Sequence, residues 1–132
     1  MTLSTKVAET KADQTKISRD KSWKTICDTT DLVKDSGISA LIANAAGEDE
    51  QIAIFHLPNS EEKIYAVGNY DPIGKANVLY RGIVGSIADE PVVASPLYKQ
   101  HFSLKTGQCL QEEHRISVYP IRIENEQVQV LY

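Results

Sequence analysis

The side chains that could hold a metal or carry a proton are few and scattered: Cys27 and Cys109, His56, His101 and His114, and the acidic pairs Glu61-Glu62 and Glu112-Glu113. A site drawn from the cysteines and histidines has no recognised ligand spacing, and two cysteines exclude any cluster or zinc site that takes four thiolates from one chain. They are also too few for a disulfide scaffold, so free thiols are the simplest state. Ser95 and Ser103 flank His101, yet neither stands in a nucleophile elbow. Gly82-x-x-Gly85 lacks the lysine and helix start of a phosphate-binding loop. The acidic pairs read as solvated turns rather than as an acid and a base held in a cleft. The spacing therefore assigns no catalytic residue, no cofactor-binding loop and no metal ligand.

What must position any site is one small domain. A length of 132 residues fits a single core, since domains typically run ~100–150 residues. No apolar run approaches the ~20 residues of a membrane helix and the N-terminus has no apolar signal region, so the expected compartment is the cytoplasm. A net charge of −4 lacks the electrostatic footprint of a nucleic-acid binder. Five basic against three acidic residues give residues 1–21 a charge of +2, leaving −6 for the rest. That first stretch has small, scattered apolar residues and no aromatic one, too little to offset ordering entropy, and is expected to be a flexible arm.

From Trp23 the chain turns to short runs rich in Ile, Val, Tyr and Phe. Strands are expected at Trp23–Cys27, Ile38–Ala43, Gln51–Leu57, Lys63–Gly68, Glu90–Ala94, Gln100–Leu104, Ser117–Ile123 and Gln127–Tyr132, with one helical turn over Asp31–Gly37. Alternation of Val128 and Val130 with Gln127 and Gln129 predicts one buried face. The fold class is all-β, an antiparallel sandwich or small barrel. Between residues 68 and 107 lie five of the seven glycines and Pro72, Pro91 and Pro96, a density that marks structured loops on a β scaffold.

Two strings bound that region: Gly68-Asn-Tyr-Asp-Pro72 and Ser95-Pro-Leu-Tyr-Lys-Gln-His-Phe-Ser-Leu-Lys-Thr-Gly107. The second resembles the second cluster loop of Rieske iron–sulfur domains, Cys-Pro-x-His followed by an aromatic-containing strand and Thr-Gly; Pro96, Phe102, Thr106 and Gly107 stand where that pattern puts them. The first resembles the Cys-x-His loop that follows an apolar strand, here Ile64-Tyr-Ala-Val67. The resemblance implies a Rieske-like fold of stacked antiparallel sheets over residues 22–132. It also implies that the thiolate positions fall on Asn69 and Ser95 and the imidazole positions on Asp71 and Tyr98. An amide, a carboxylate, a hydroxyl and a phenol do not supply the soft donors that an iron–sulfide cluster selects.

The run from Gly82 through Ser95-Pro-Leu-Tyr-Lys-Gln-His101 to Leu110, with Val67-Gly-Asn-Tyr-Asp-Pro72, is similar to the small subunits of bacterial NAD(P)H-dependent assimilatory nitrite reductases, which share the altered loop. That resemblance implies a large-subunit partner carrying FAD, a [4Fe–4S] cluster and sirohaem, which moves six electrons from a reduced nicotinamide to nitrite and yields ammonium. It implies no cofactor in this chain, and no nucleic acid or membrane as partner. Tyr70, Pro72, Leu97, Tyr98, Lys99 and Gln100 combine aromatic and apolar anchors with adaptable donors, the mix enriched at interface centres, and are expected to dock on the large subunit. Tyr98 and Asn69 can equally fill and hydrogen-bond the space of a missing cluster. Two other functions stay open: a Rieske-type [2Fe–2S] electron-transfer ferredoxin, which requires visible absorption, and an oligonucleotide-binding barrel, which the acidic body opposes.

Overall fold

The computed structural model describes residues 21–44 and 46–132. Of the flexible arm expected over residues 1–21, all but Lys21 lies outside the described residues. The chain from Ser22 onward builds three stacked sheets and a small hairpin, with every strand pair antiparallel.

The middle layer is a four-stranded sheet in the order β10-β4-β3-β2, built from β2 (Ser36–Ala43), β3 (Asp49–His56), β4 (Ile64–Gly68) and β10 (Val118–Tyr119). Both faces of β3 and β4 are covered, which is why these two read as nearly continuous apolar runs rather than alternating ones. One face sends Ile52, Ile54, Ile64 and Ala66 against Val128 and Val130. Those valines belong to β12 (Gln127–Leu131), the centre of a three-stranded sheet with β1 (Trp23–Asp28) and β11 (Ile121–Glu124). The opposite face sends Ala53, Phe55, Tyr65 and Val67 against Leu79, Val93 and Phe102. Val93 and Phe102 come from the third sheet, β7 (Ile83–Ile87), β8 (Glu90–Ala94) and β9 (His101–Ser103). Side chains of this kind stabilise by about 1.5–3 kcal/mol each when fully buried, so two cores back to back on one sheet account for the cohesion of the layers.

Three sequence expectations shift. The run 117–123 is not one strand: Tyr119 pairs with Ala66 of the middle sheet and Ile121 with Val130 of the first, so the chain changes sheets at Pro120. The turn expected over Asp31–Gly37 is a 3-10 turn at Thr29–Asp31, where the Asp31 carboxylate accepts from Asp28 N (3.0 Å). Gly37, the last residue of that expected turn, lies instead inside β2, where a Cβ would sit 2.6 Å from the Phe55 ring and 2.7 Å from the Tyr80 carbonyl. The region 68–107 is less irregular than its glycines suggest, for it also holds the hairpin β5 (Tyr70–Asp71) and β6 (Ala76–Asn77), a 3-10 turn at Leu79–Arg81, and β7.

Candidate functional site

The two loops singled out by sequence emerge from neighbouring sheets. The first leaves β4 at Gly68, and its next residue, Asn69, is fully buried. Every part of Asn69 is used: its N–H donates to Gln51 O (3.1 Å), its carbonyl accepts from Leu79 N (3.1 Å), Nδ2 donates to Gln51 Oε1 (3.0 Å) and Oδ1 accepts from Tyr80 N (2.8 Å). Asn69 thus fastens the far end of its loop, 11 residues on, to the middle sheet. Asp71 is likewise fully buried, and its Oδ1 accepts from the N–H groups of Ile73 (2.8 Å) and Gly74 (3.0 Å), an Asx-type turn that curls the loop back on itself.

The second loop leaves β8 after Ala94. Ser95 N donates to Gln100 O (2.9 Å) and Lys99 N to Ser95 O (3.0 Å), closing a tight loop that puts Lys99 at φ 64. The two loops meet through one buried hydrogen bond, in which Ser95 Oγ donates to Asp71 Oδ2 at 2.5 Å. They also touch through packing, since a Cβ on Gly74 would lie 2.3 Å from Leu97 Cδ1 and 3.2 Å from Leu97 Cβ, so a side chain there would push Leu97 aside. Outside this seam the loops present Tyr70 (48% exposed), Leu97 (44%), Tyr98 (65%) and the exposed Lys75 and Lys99. Pro72 and Gln100 are half-buried, and Gln100 Nε2 reaches Glu112 Oε2 at 3.1 Å.

Asn69, Asp71 and Ser95 therefore come together in the interior of the tip, whereas Tyr98 points outward and does not fill that space. These residues do not fit a [2Fe–2S] cluster. The donors are hard oxygens and an amide, and the Asp71 carboxylate already accepts from three donors while Asn69 is bonded at both ends. The remaining candidates do not converge either. Cys27 is half-buried in β1 and Cys109 buried in the core, both as free thiols. Burial, with Asp31 and Asp28 nearby, pushes the Cys27 thiol up. His101 Nδ1 contacts Gln111 Nε2 (3.1 Å). Among the described residues no group of three or more His, Cys, Asp or Glu is arranged to hold a metal ion. Glu61 meets Lys105 at 3.3 Å, and Glu62, Glu112 and Glu113 lie exposed. Gln51, Gly74 and Tyr80 also hold the loops. Of these only Gly74, in a run after Pro72 where the chain must turn, carries a visible signal.

Comparisons with known proteins agree with this architecture. Residues 22–131 match the family described as Rieske-like [2Fe-2S] domain. The nitrite reductase (NADH) small subunit of Escherichia coli (strain K12) is 37% identical over 109 residues, covering 82% of this chain and 95% of that protein. The nitrite reductase [NAD(P)H] large subunit of Klebsiella oxytoca is 38% identical over 109 residues, which cover 82% of this chain but 11% of that far longer polypeptide. Among solved structures, the NMR structure of the E. coli protein NirD is 34% identical, with a TM-score of 0.73 and coverage of 85% of this chain and 97% of that one. A family match over residues 22–131 and an identity above one third along nearly the whole of a small subunit lead to one assignment: the chain belongs to the Rieske-like [2Fe-2S] domain family and, within it, to the nitrite reductase (NADH) small subunits.

Proposed function

We propose that this chain is the non-catalytic subunit of an NAD(P)H-dependent nitrite reductase and docks by its loop tip on the large subunit, which carries FAD, the [4Fe–4S] cluster and sirohaem and reduces nitrite to ammonium in the cytoplasm. The observation that carries the reading is the division of labour within the tip. The residues at the cluster-ligand positions in the interior, Asn69, Asp71 and Ser95, are spent on hydrogen bonds to the loops themselves, while Tyr70, Leu97, Tyr98 and Lys99 face outward. A pre-organised loop pair with exposed aromatic and apolar anchors loses little entropy on binding, as an interface centre requires. Pro72 and Gln100 complete the face at its half-buried rim. The Klebsiella large subunit supports the partnership, since a stretch of that polypeptide is similar to this chain.

On this reading the chain holds no redox centre and has no activity alone. Its contribution to turnover is made through the surface it covers on its partner. The test is co-purification of the large subunit with the full chain carrying Leu97→Ala and Lys99→Ala together. Both side chains are exposed, so the fold is spared, and recovery of the large subunit is expected to drop at least about tenfold, the loss of a modest hot spot. Undiminished recovery of the complex contradicts tip docking.

A further inference from the structure

The third sheet ends in an unprotected edge. β7 pairs only with β8 among the described residues, and its sequence, Ile-Val-Gly-Ser-Ile, has neither charge nor proline. Natural edge strands usually carry such guards, because a row of open N–H and C=O groups pairs readily with another strand. The hairpin register tells which groups are open. Ile87 and Glu90 flank the two-residue turn Ala88–Asp89, both at positive φ (51 and 68), so Ile87, Gly85 and Ile83 exchange backbone bonds with β8. Ser86 faces Pro91, which has no N–H and whose carbonyl accepts instead from Leu104 N at 2.9 Å. Val84 and Ser86 therefore aim their N–H and C=O groups at the free edge. On the solvent face Ile83 (76% exposed) and Ile87 (44%) stand either side of Gly85, whose missing Cβ would meet nothing within 4 Å.

We propose that β7 is a self-pairing edge, joining a second copy of this chain across a two-fold axis at Gly85 and fusing two three-stranded sheets into one of six strands. The strand is self-complementary in that register. Val84 of each copy faces Ser86 of the other, and the open groups on both form four backbone hydrogen bonds. Ile83 of each copy faces Ile87 of the other in non-bonded positions, where side chains approach most closely, and the gap over Gly85 lets the central backbones meet unobstructed. The self-complementary register ends with the strand, since Arg81 belongs to the preceding 3-10 turn and Ala88–Asp89 to the hairpin turn, and the net charge of −4 opposes association. Two five-residue strands cover less than the ~1,200 Å² of a stable interface, so the dimer is weak and concentration-dependent.

Sedimentation equilibrium of the full chain tests this, with the weight-average mass expected to rise from 14.6 kDa toward twice that value as concentration increases. Ile83→Lys, at a position too exposed to matter for folding, is expected to hold the mass at the monomer value while leaving recovery of the large subunit unchanged. Gly85→Val, which fills the open space at the two-fold axis, is expected to weaken self-association at least about fivefold. Amide exchange at Val84 and Ser86 is expected to slow as the dimer forms, while Gly85, bonded within the monomer, does not change. A monomer at every concentration, a dimer indifferent to Ile83→Lys, or protection of Val84 and Ser86 only when the large subunit is added each overturns the proposal.

Discussion

Asp71 gathers three donors, two of them backbone N–H groups that no other side chain satisfies and one the hydroxyl that ties the second loop to the first. Removing the acceptor strands these groups in a buried seam, and each unsatisfied group costs about 1–3 kcal/mol. Asp71→Ala is accordingly expected to lower unfolding free energy by about 3 kcal/mol or more, and Ser95→Ala by about 1–2 kcal/mol, in urea titrations. A double-mutant cycle on the pair is expected to return a coupling of about 1 kcal/mol or more, because the two side chains are partners. A second residue contributes to the pH dependence at the alkaline end. Burial, then the hydrogen bond to Glu50, pushes the Tyr119 phenol up to about 12. The neutral phenol is thus favoured in the folded chain: its stabilisation is intact below pH 10, where the unfolded phenol titrates, and is lost as pH rises toward 12. Tyr119→Phe is expected to flatten the decline of the urea midpoint over that window. At this scale the resemblance to Rieske cluster loops points to Asn69, Asp71 and Ser95, but nothing in the sequence points to their partners. Gln51 lies 18 residues before Asn69 in another strand, and only the closed sheet brings the two amides together.

Turns and strand changes are the element-scale devices that aim the loops. Gly107 sits at φ +80, and a Cβ there would lie 2.1 Å from the Ile116 carbonyl oxygen, a backbone atom that cannot swing away. Gly107→Ala combines left-handed strain with overpacking and is expected to cost on the order of 3 kcal/mol, read as a lowered urea midpoint. The Thr-Gly pair announces that turn in the sequence, and Ser103 closes it by accepting from Lys105 N and Thr106 N at 3.1 Å. Other elements were hidden for physical reasons. β7 was overlooked because Ser86 and Gly85 dilute its apolar pattern and because its hairpin turn is Ala88-Asp89, without the Asn-Gly or Asp-Gly that marks such turns. Pro120 falls inside an apolar run that reads as one strand, yet a residue without an N–H suits the break between two sheets, which is where it lies. The alternation of Val128 and Val130 with glutamines was legible because β12 has one core-facing side.

For the molecule as a whole, three layers with two cores follow from the apolar runs of β3 and β4, which need cover on both faces. Charge is divided as well as core: Lys75 and Lys99 are exposed at the tip of a chain whose net charge is −4. Docking through that tip is expected to weaken several-fold between about 0.05 and 0.5 M salt, measured as the dissociation constant for the large subunit, because the lysines act across a partly solvated rim. Asn69 ties its loop to Gln51, Leu79 and Tyr80, and the Ser95–Asp71 bond joins the two loops, so hydrogen bonds hold the tip where a Rieske centre would have a cluster, which fits the proposed docking role. The most direct test is the iron and acid-labile sulfide content of the full chain purified without oxygen, together with its visible spectrum. A colourless protein without iron or sulfide is expected. Two irons and two sulfides per chain, with the visible absorption of a [2Fe–2S] centre, would contradict it.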